Sequence, residues 1–267
     1  MAKISETTRL EFAETIKPYQ SKITATLGKE KTVLNSINGG ASDAPYKKLM
    51  LCDDMIYVAS LYMAQNSLSL KILGVKNNDA LNEARKILYK AIIYLEELVT
   101  NVIDIPYSDL VKNHETIQDK PIAERYYLIR KLGLAINLLE IAFGDNSKWK
   151  WSFVELKGRY AVVAKNLIDM RNSVKAYFDP NNEDYETTVL YVRLIIKQLE
   201  ASAAGYRDKY EVSTRRLDDM RNAIKFLLAR HKLAIAIGDK TNAEEIKKKA
   251  LVWKDKMDAD QKAGSGR

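Results

Sequence analysis

The side chains able to do chemistry in this sequence are few, and their spacing suits little of it. Histidine occurs twice, as His114 in the polar segment YSDLVKNHETIQ and as His231 between Arg230 and Lys232. Neither belongs to an H-E-x-x-H zinc motif or to the E-x-x-H pairs of a di-iron bundle. His231 also falls inside a long apolar seam, where a histidine is more often a packing residue than a catalyst. Cys52 is the only cysteine, which excludes an internal disulfide framework and any cysteine-based zinc cluster within one chain. Asp53 and Asp54 follow it, but adjacent helix positions point about 100° apart and do not chelate together. There is no Walker loop and no G-x-S-x-G nucleophile turn. No catalytic, cofactor-binding or metal-ligating residue is therefore assigned, and the expectation is a chain that is not an enzyme, with no cofactor and no small-molecule substrate.

Two other clusters stand out. LIDMRNSVK from Leu167 and LDDMRNAIK from Leu217 repeat a DMRN core fifty residues apart. On a helix, Asp169 and Arg171 are two residues apart and face away from each other, which is poor material for one catalytic centre. The doubled motif reads as one helical surface used twice, with Arg171 and Arg221 free to reach acidic groups on neighbouring helices. In SKWKWSF from Ser147, Trp149 and Trp151 alternate with Lys148 and Lys150. Such rings stack bases while lysines hold phosphates, or they anchor in a partner's groove, or they simply enter the core while the lysines stay in water. EEIKKKALVWKDK, carrying Lys247, Lys248 and Lys249, is a basic amphipathic stretch of the same ambiguity.

The elements that must carry these residues are helices. Among 267 residues only five are proline and eleven glycine, while 46% are hydrophobic, enough for a sizeable core of helix-forming composition. No apolar run approaches the ~18 residues of a membrane span, and MAKISETTRLEF lacks the apolar stretch of a signal peptide, so a soluble, cytoplasmic protein is expected. The net charge of +8 is uneven: lysine and arginine balance aspartate and glutamate at 18 each over residues 1–146, against 25 and 17 over residues 147–267. A basic face attracts nucleic acid, anionic lipid or an acidic protein, or is an ordinary solvated surface.

Helix punctuation is legible. Pro18 is expected to interrupt an N-terminal segment that closes at Asn38–Gly40. Asp43 with Pro45 opens the next helix, which stops at Gly74. Asn77–Asp79 caps a third that ends before Pro106, and Asp119 with Pro121 opens one that stops at Gly144. The chain restarts at Asp145–Ser147, breaks over Phe178–Asp184, and after Gly238 opens its last helix with a T-x-x-E capping box from Thr241 to Glu244.

Apolar steps of three and four run from Trp149 to Tyr177 and from Val189 to Ala234, the second interrupted only by Ser213 and His231, with weaker seams over Leu49–Leu73 and Leu81–Ile105. These are heptad-like seams. A continuous helix from Glu183 to Ile237 would extend on the order of 80 Å, with Gly205 the obvious place for a bend. Extra apolar residues such as Ile87, Ile92 and Ile93 require packing on two sides. LEIAFGDNS from Leu139 and LAIAIGDKT from Leu233 look like turns of helical hairpins. The spacing of Ala243, Ala250 and Leu251 resembles the turn and second helix of a tetratricopeptide repeat over Leu227–Leu251. The large aromatic and small residue of that repeat's first helix are missing, and the glycine stops lie 70 and 94 residues apart, which does not fit a 34-residue period.

The expected fold is all-α, a multi-helix bundle or stacked helical hairpins with long heptad-patterned helices in the C-terminal half. Its parts are an N-terminal helical segment (1–40), a bundle of near-zero net charge (41–146), a basic long-helix hairpin region (147–260) and a flexible tail (261–267), all of which can be one domain. The leading functional expectation is a helical scaffold that contacts a protein partner or a second copy through Trp149, Trp151, Tyr206, Tyr210, Arg171 and Arg221. The alternatives are a nucleic-acid-binding protein of coat or packaging type using the basic residues, a helical enzyme with a site drawn from distant residues, and a membrane-surface binder.

Overall fold

The computed structural model describes residues 4–144 and 147–265. Over these residues the fold is all-α, with ten helices and no strand: α1 (Glu6–Asn38), α2 (Ala44–Leu73), α3 (Asn78–Val99), α4 (Val111–Glu115), α5 (Ile122–Phe143), α6 (Lys150–Leu167), α7 (Met170–Tyr177), α8 (Tyr185–Lys209), α9 (Leu217–Ala236) and α10 (Lys240–Ser265). None of the described helices is long and apolar enough to cross a membrane.

The chain divides into two compact units. The first holds Met1–Leu98 and Arg130–Ser147, and the second Val99–Ile129 and Lys148–Arg267. Residues 99–129, grouped by sequence with the N-terminal bundle, thus pack with the C-terminal helices, for reasons given below. The expected restart at 145–146 and the last two residues of the tail lie outside the described residues, while α10 continues to Ser265.

In the first unit, α1 runs through Pro18 without a break. Proline removes one backbone donor, and at an exposed position the freed carbonyl is served by water. The helix is tied down on its other side, where buried Glu30 accepts hydrogen bonds from Lys90 Nζ at 2.6 Å and from the Tyr94 hydroxyl. Asp43 occupies the N-cap position of α2 but makes no cap hydrogen bond, pairing instead with Lys47 at 2.7 Å. Asn77 does cap α3, its Oδ1 accepting from Ala80 N at 3.0 Å. Asp53 and Asp54 go opposite ways, to Lys131 at 2.6 Å and Lys29 at 2.9 Å. Cys52 between them and the core is fully buried, and burial pushes its thiol pKa far up, which leaves it chemically inert.

In the second unit both long seams are broken, the first at a place the apolar spacing does not mark and the second in a turn that contains Ser213, one of its two interruptions. Helix α6 stops at Leu167, Ile168 is extended (ψ 127°), and Asp169 caps α7. Helix α8 passes straight through Gly205 and ends in a π turn at Tyr210–Thr214, after which Arg215 adopts a left-handed conformation (φ 52°) and α9 begins at Leu217. Gly205 does not bend the helix, and it lies against α6, where a β-carbon would sit 3.4 Å from Val154 Cγ1, at ordinary contact distance. The last helix is capped by Asp239, which accepts from Asn242 N at 3.2 Å, and not by Thr241 two residues on.

Candidate functional site

The first copy of DMRN lies at a helix start. Asp169 Oδ1 accepts from the Arg171 backbone N–H at 3.1 Å and Oδ2 from the Asn172 amide at 2.7 Å, so both oxygens serve to begin α7. The His114 ring faces it, Nδ1 standing 3.8 Å from Asp169 Oδ1. On its other side His114 Nε2 lies 2.8 Å from the Asn166 carbonyl. A carbonyl only accepts, so Nε2 carries the proton and Nδ1 presents a lone pair in the neutral ring. Burial holds the His114 pKa below its ordinary value, against the upward pull of the Asn166 carbonyl and of Asp169.

These residues border a cleft of about 540 Å³ in the second unit. The start of α5 contributes Arg125, which donates from Nε to Lys120 O at 2.9 Å and from Nη2 to Ile117 O at 2.7 Å. The start of α8 contributes Asp184 and Thr188. Thr188 is completely buried, and its Oγ1 has no hydrogen-bond partner. Arg171 and Lys175 of α7, Glu115 of α4 and Asp184 also line the cleft, their side chains exposed and unpaired.

Beside it, one dipeptide organises the loop after α3. Asn166 Nδ2 donates to Thr100 O at 3.1 Å and to Val102 O at 3.2 Å, while Lys165 Nζ donates to Ile105 O at 3.2 Å and to Asn166 Oδ1 at 2.8 Å. These bonds explain why residues 99–129 belong to the second unit. The Lys165 ammonium is fully buried, lies 5.0 Å from the centre of the Tyr107 ring, and is pushed down by burial to about 8. A lysine and an asparagine inside the otherwise apolar run YAVVAKNLI are the sequence trace of this buried pair.

The sequence model of one family, TP0443, matches residues 8–261, nearly the whole of the described chain. The chain belongs to the TP0443 family. No curated protein and no solved structure matches it.

In this TP0443-family fold the residues singled out by sequence do not converge on one site. Tyr206 and Tyr210 are buried. Tyr206 stacks on Phe226 with ring centres 5.6 Å apart, and the Tyr210 hydroxyl donates to Asp260 at 2.6 Å, so neither ring is a surface anchor. Arg221 pairs with Asp218 one turn away at 2.8 Å rather than across to another helix. In that second DMRN copy the aspartate, Asp219, is buried and holds Lys209 at 2.9 Å and the Thr214 hydroxyl at 2.6 Å. Both copies therefore start a helix after a break, which is the feature they share. Trp149 and Trp151 are half-buried, and each carries a lysine over its ring, Lys148 at 5.3 Å and Lys150 at 5.0 Å. Lys249 lies 5.1 Å from the Trp253 ring, while Lys247 and Lys248 point into solvent. His231 Nδ1 contacts the Ala243 carbonyl at 2.9 Å, joining α9 to α10.

An apolar surface that sequence did not single out lies in the first unit. Helix α5 buries Leu132, Ala135, Ile136 and Leu139 on one side, yet on the other Leu134, Leu138 and Ile141 are 57%, 48% and 66% exposed. Their steps of four and three keep them in one narrow row. The Lys131–Asp53 ion pair at one end and the Lys76–Phe143 carbonyl hydrogen bond (3.0 Å) at the other set this part of α5 alongside α2. Tyr57 of α2, one turn on from Asp53, is 44% exposed.

Proposed function

We propose that this TP0443-family chain is a non-enzymatic helical scaffold that docks an amphipathic helix of a partner protein on the outer face of α5. One observation carries the reading: α5 is apolar on two sides and the fold covers one. A helix apolar on both sides is expected to bury both, and an exposed row of Leu134, Leu138 and Ile141 is the kind of surface that marks an interaction site. The heptad spacing of the row matches the seam of another helix, whose own apolar stripe would lie along it as in helix-in-groove recognition. The engagement of Cys52, His114 and His231 in packing or in backbone contacts supports the non-enzymatic part.

A photo-crosslinking residue placed at position 138 of the full chain, with another at exposed Lys112 as the control, tests this in extract of the source cells. The expected result is one adduct, formed at 138 and not at 112, whose crosslinked peptide is an amphipathic helix, and which disappears in Leu134→Glu without loss of stability. An adduct to a second copy of the chain would replace the partner by self-assembly. Equal labelling from both positions would remove the reading. Binding of unrelated nucleic acids that falls steeply with salt would instead favour the basic surface, although the lysine over each tryptophan ring already takes one face that a base would need.

A further inference from the structure

We infer that the cleft of the second unit is a binding site for a small amphoteric molecule of no net charge, an anionic group and a cationic group on one compact frame, as in a free amino acid. The inference stands apart from the docking face of α5, since it uses none of its residues. At about 540 Å³ the cleft has the size of small-molecule sites. On its wall lies Thr188, fully buried with an unpartnered Oγ1. A buried hydroxyl without a partner costs stability, and where a fold retains one a ligand-binding role is a physical reason for it.

Charge settles the class of ligand. Several charged groups of the cleft are already committed: Asp169 to the start of α7, Lys120 to Glu124 at 2.7 Å, and Arg125 to two carbonyls. Four are not. Arg171 and Lys175 stand one turn apart on α7, and Glu115 and Asp184 stand at the end of α4 and the start of α8. They line one cleft and carry opposite signs, yet none of them pairs with another. A plain anion would be drawn to the two cations but repelled by the two carboxylates, and a plain cation would meet the reverse. A molecule bearing both signs satisfies both pairs, with its neutral middle beside Thr188, whose closed-off hydroxyl reaches it only when the side chain turns toward the cleft.

The test is titration calorimetry of the full chain with each of the twenty free L-amino acids, then with the N-acetyl and the carboxamide forms of any that bind. The expected result is at least one ligand whose two blocked forms each bind about tenfold more weakly or worse, the loss of a charged hydrogen bond. Arg171→Gln and Asp184→Asn, both at exposed positions, are expected to weaken the free amino acid by a similar factor. Thr188→Val is expected to raise the melting temperature of the ligand-free protein while weakening binding, a pairing that a purely structural threonine would not give. No binding by any of the twenty would overturn the inference. So would an N-acetyl form that binds as well as the free one, which makes the cleft an anion site, or binding unchanged by all three substitutions, which places it elsewhere.

Discussion

Gly158 of α6 and Tyr206 of α8 meet where no side chain fits: a β-carbon on Gly158 would lie 2.6 Å from Tyr206 Cε2 and 3.3 Å from Phe226 Cζ. Both rings are buried and stacked on each other, so neither can swing away without disturbing α9. Gly158→Ala is expected to cost about 1–3 kcal/mol of stability, the usual range for overfilling a packed core. Urea unfolding checks this, and adding Tyr206→Leu should recover part of the loss. A variant as stable as the parent would mean that α6 and α8 do not approach as described.

The buried ammonium of Lys165 makes stability depend on alkaline pH. Its folded pKa is about 8 against an ordinary value of 10.5. Below about pH 8 it is charged in both states, and burying that charge is costly. Between the two values the folded protein gives up a proton that the unfolded chain retains, so stability rises with pH, by about 3 kcal/mol over the whole window. Lys165→Met should remove most of that rise. The quantity to follow is the difference in unfolding free energy between parent and variant from about pH 7 to about pH 9.5, below the titration of tyrosine; a difference that stays flat would show that the amine titrates normally.

Arg215 closes the π turn in a conformation that β-carbons disfavour, at φ 52°. Its N–H donates to Tyr210 O at 3.0 Å, a bond that glycine keeps. Arg215→Gly should therefore stabilise the protein by about 0.5–1 kcal/mol, the left-handed strain relieved less the entropy that glycine adds to the unfolded chain. The change is measured as a shift in the thermal midpoint, and a drop would mean that the guanidinium has a role its exposure does not suggest.

Much of the fold was legible because helix ends are written in local chemistry. Gly74 and Gly238 stop their helices with φ of 68° and 72°, and Asn77 caps where its side chain can reach. The break at Asp169 was not legible, because apolar periodicity records which face is buried and not whether the backbone is continuous: Leu167 and Met170 lie on either side of it and are both buried. The break before Leu217 left one trace, Ser213 in the seam, but the bend was expected at Gly205. Proline misled in the other direction, since at an exposed position Pro18 is tolerated within α1. Tyr206 and Tyr210 looked like anchors because a ring with a polar tip suits a core and an interface alike. The cleft was out of reach because its parts come from Val111 to Thr188 on four helices, and the orphaned hydroxyl of Thr188 is defined only by what fails to surround it.

The alternation of the two units along the chain, 1–98, 99–129, 130–147 and 148–267, governs the order in which they can be made. A nascent chain that has just released α3 cannot finish the first unit, because the part of α5 that covers its core has not yet been synthesised. The loop after α3 waits longer still, since the amide that holds Thr100 O belongs to a residue 66 positions later. Apolar faces from both units are thus uncovered together until residue 147 has been made, and the second unit closes only after the helices that follow. Gene truncations at residue 98, 129 or 147 would each leave at least one core open, so the natural piece for recombinant work is the whole span.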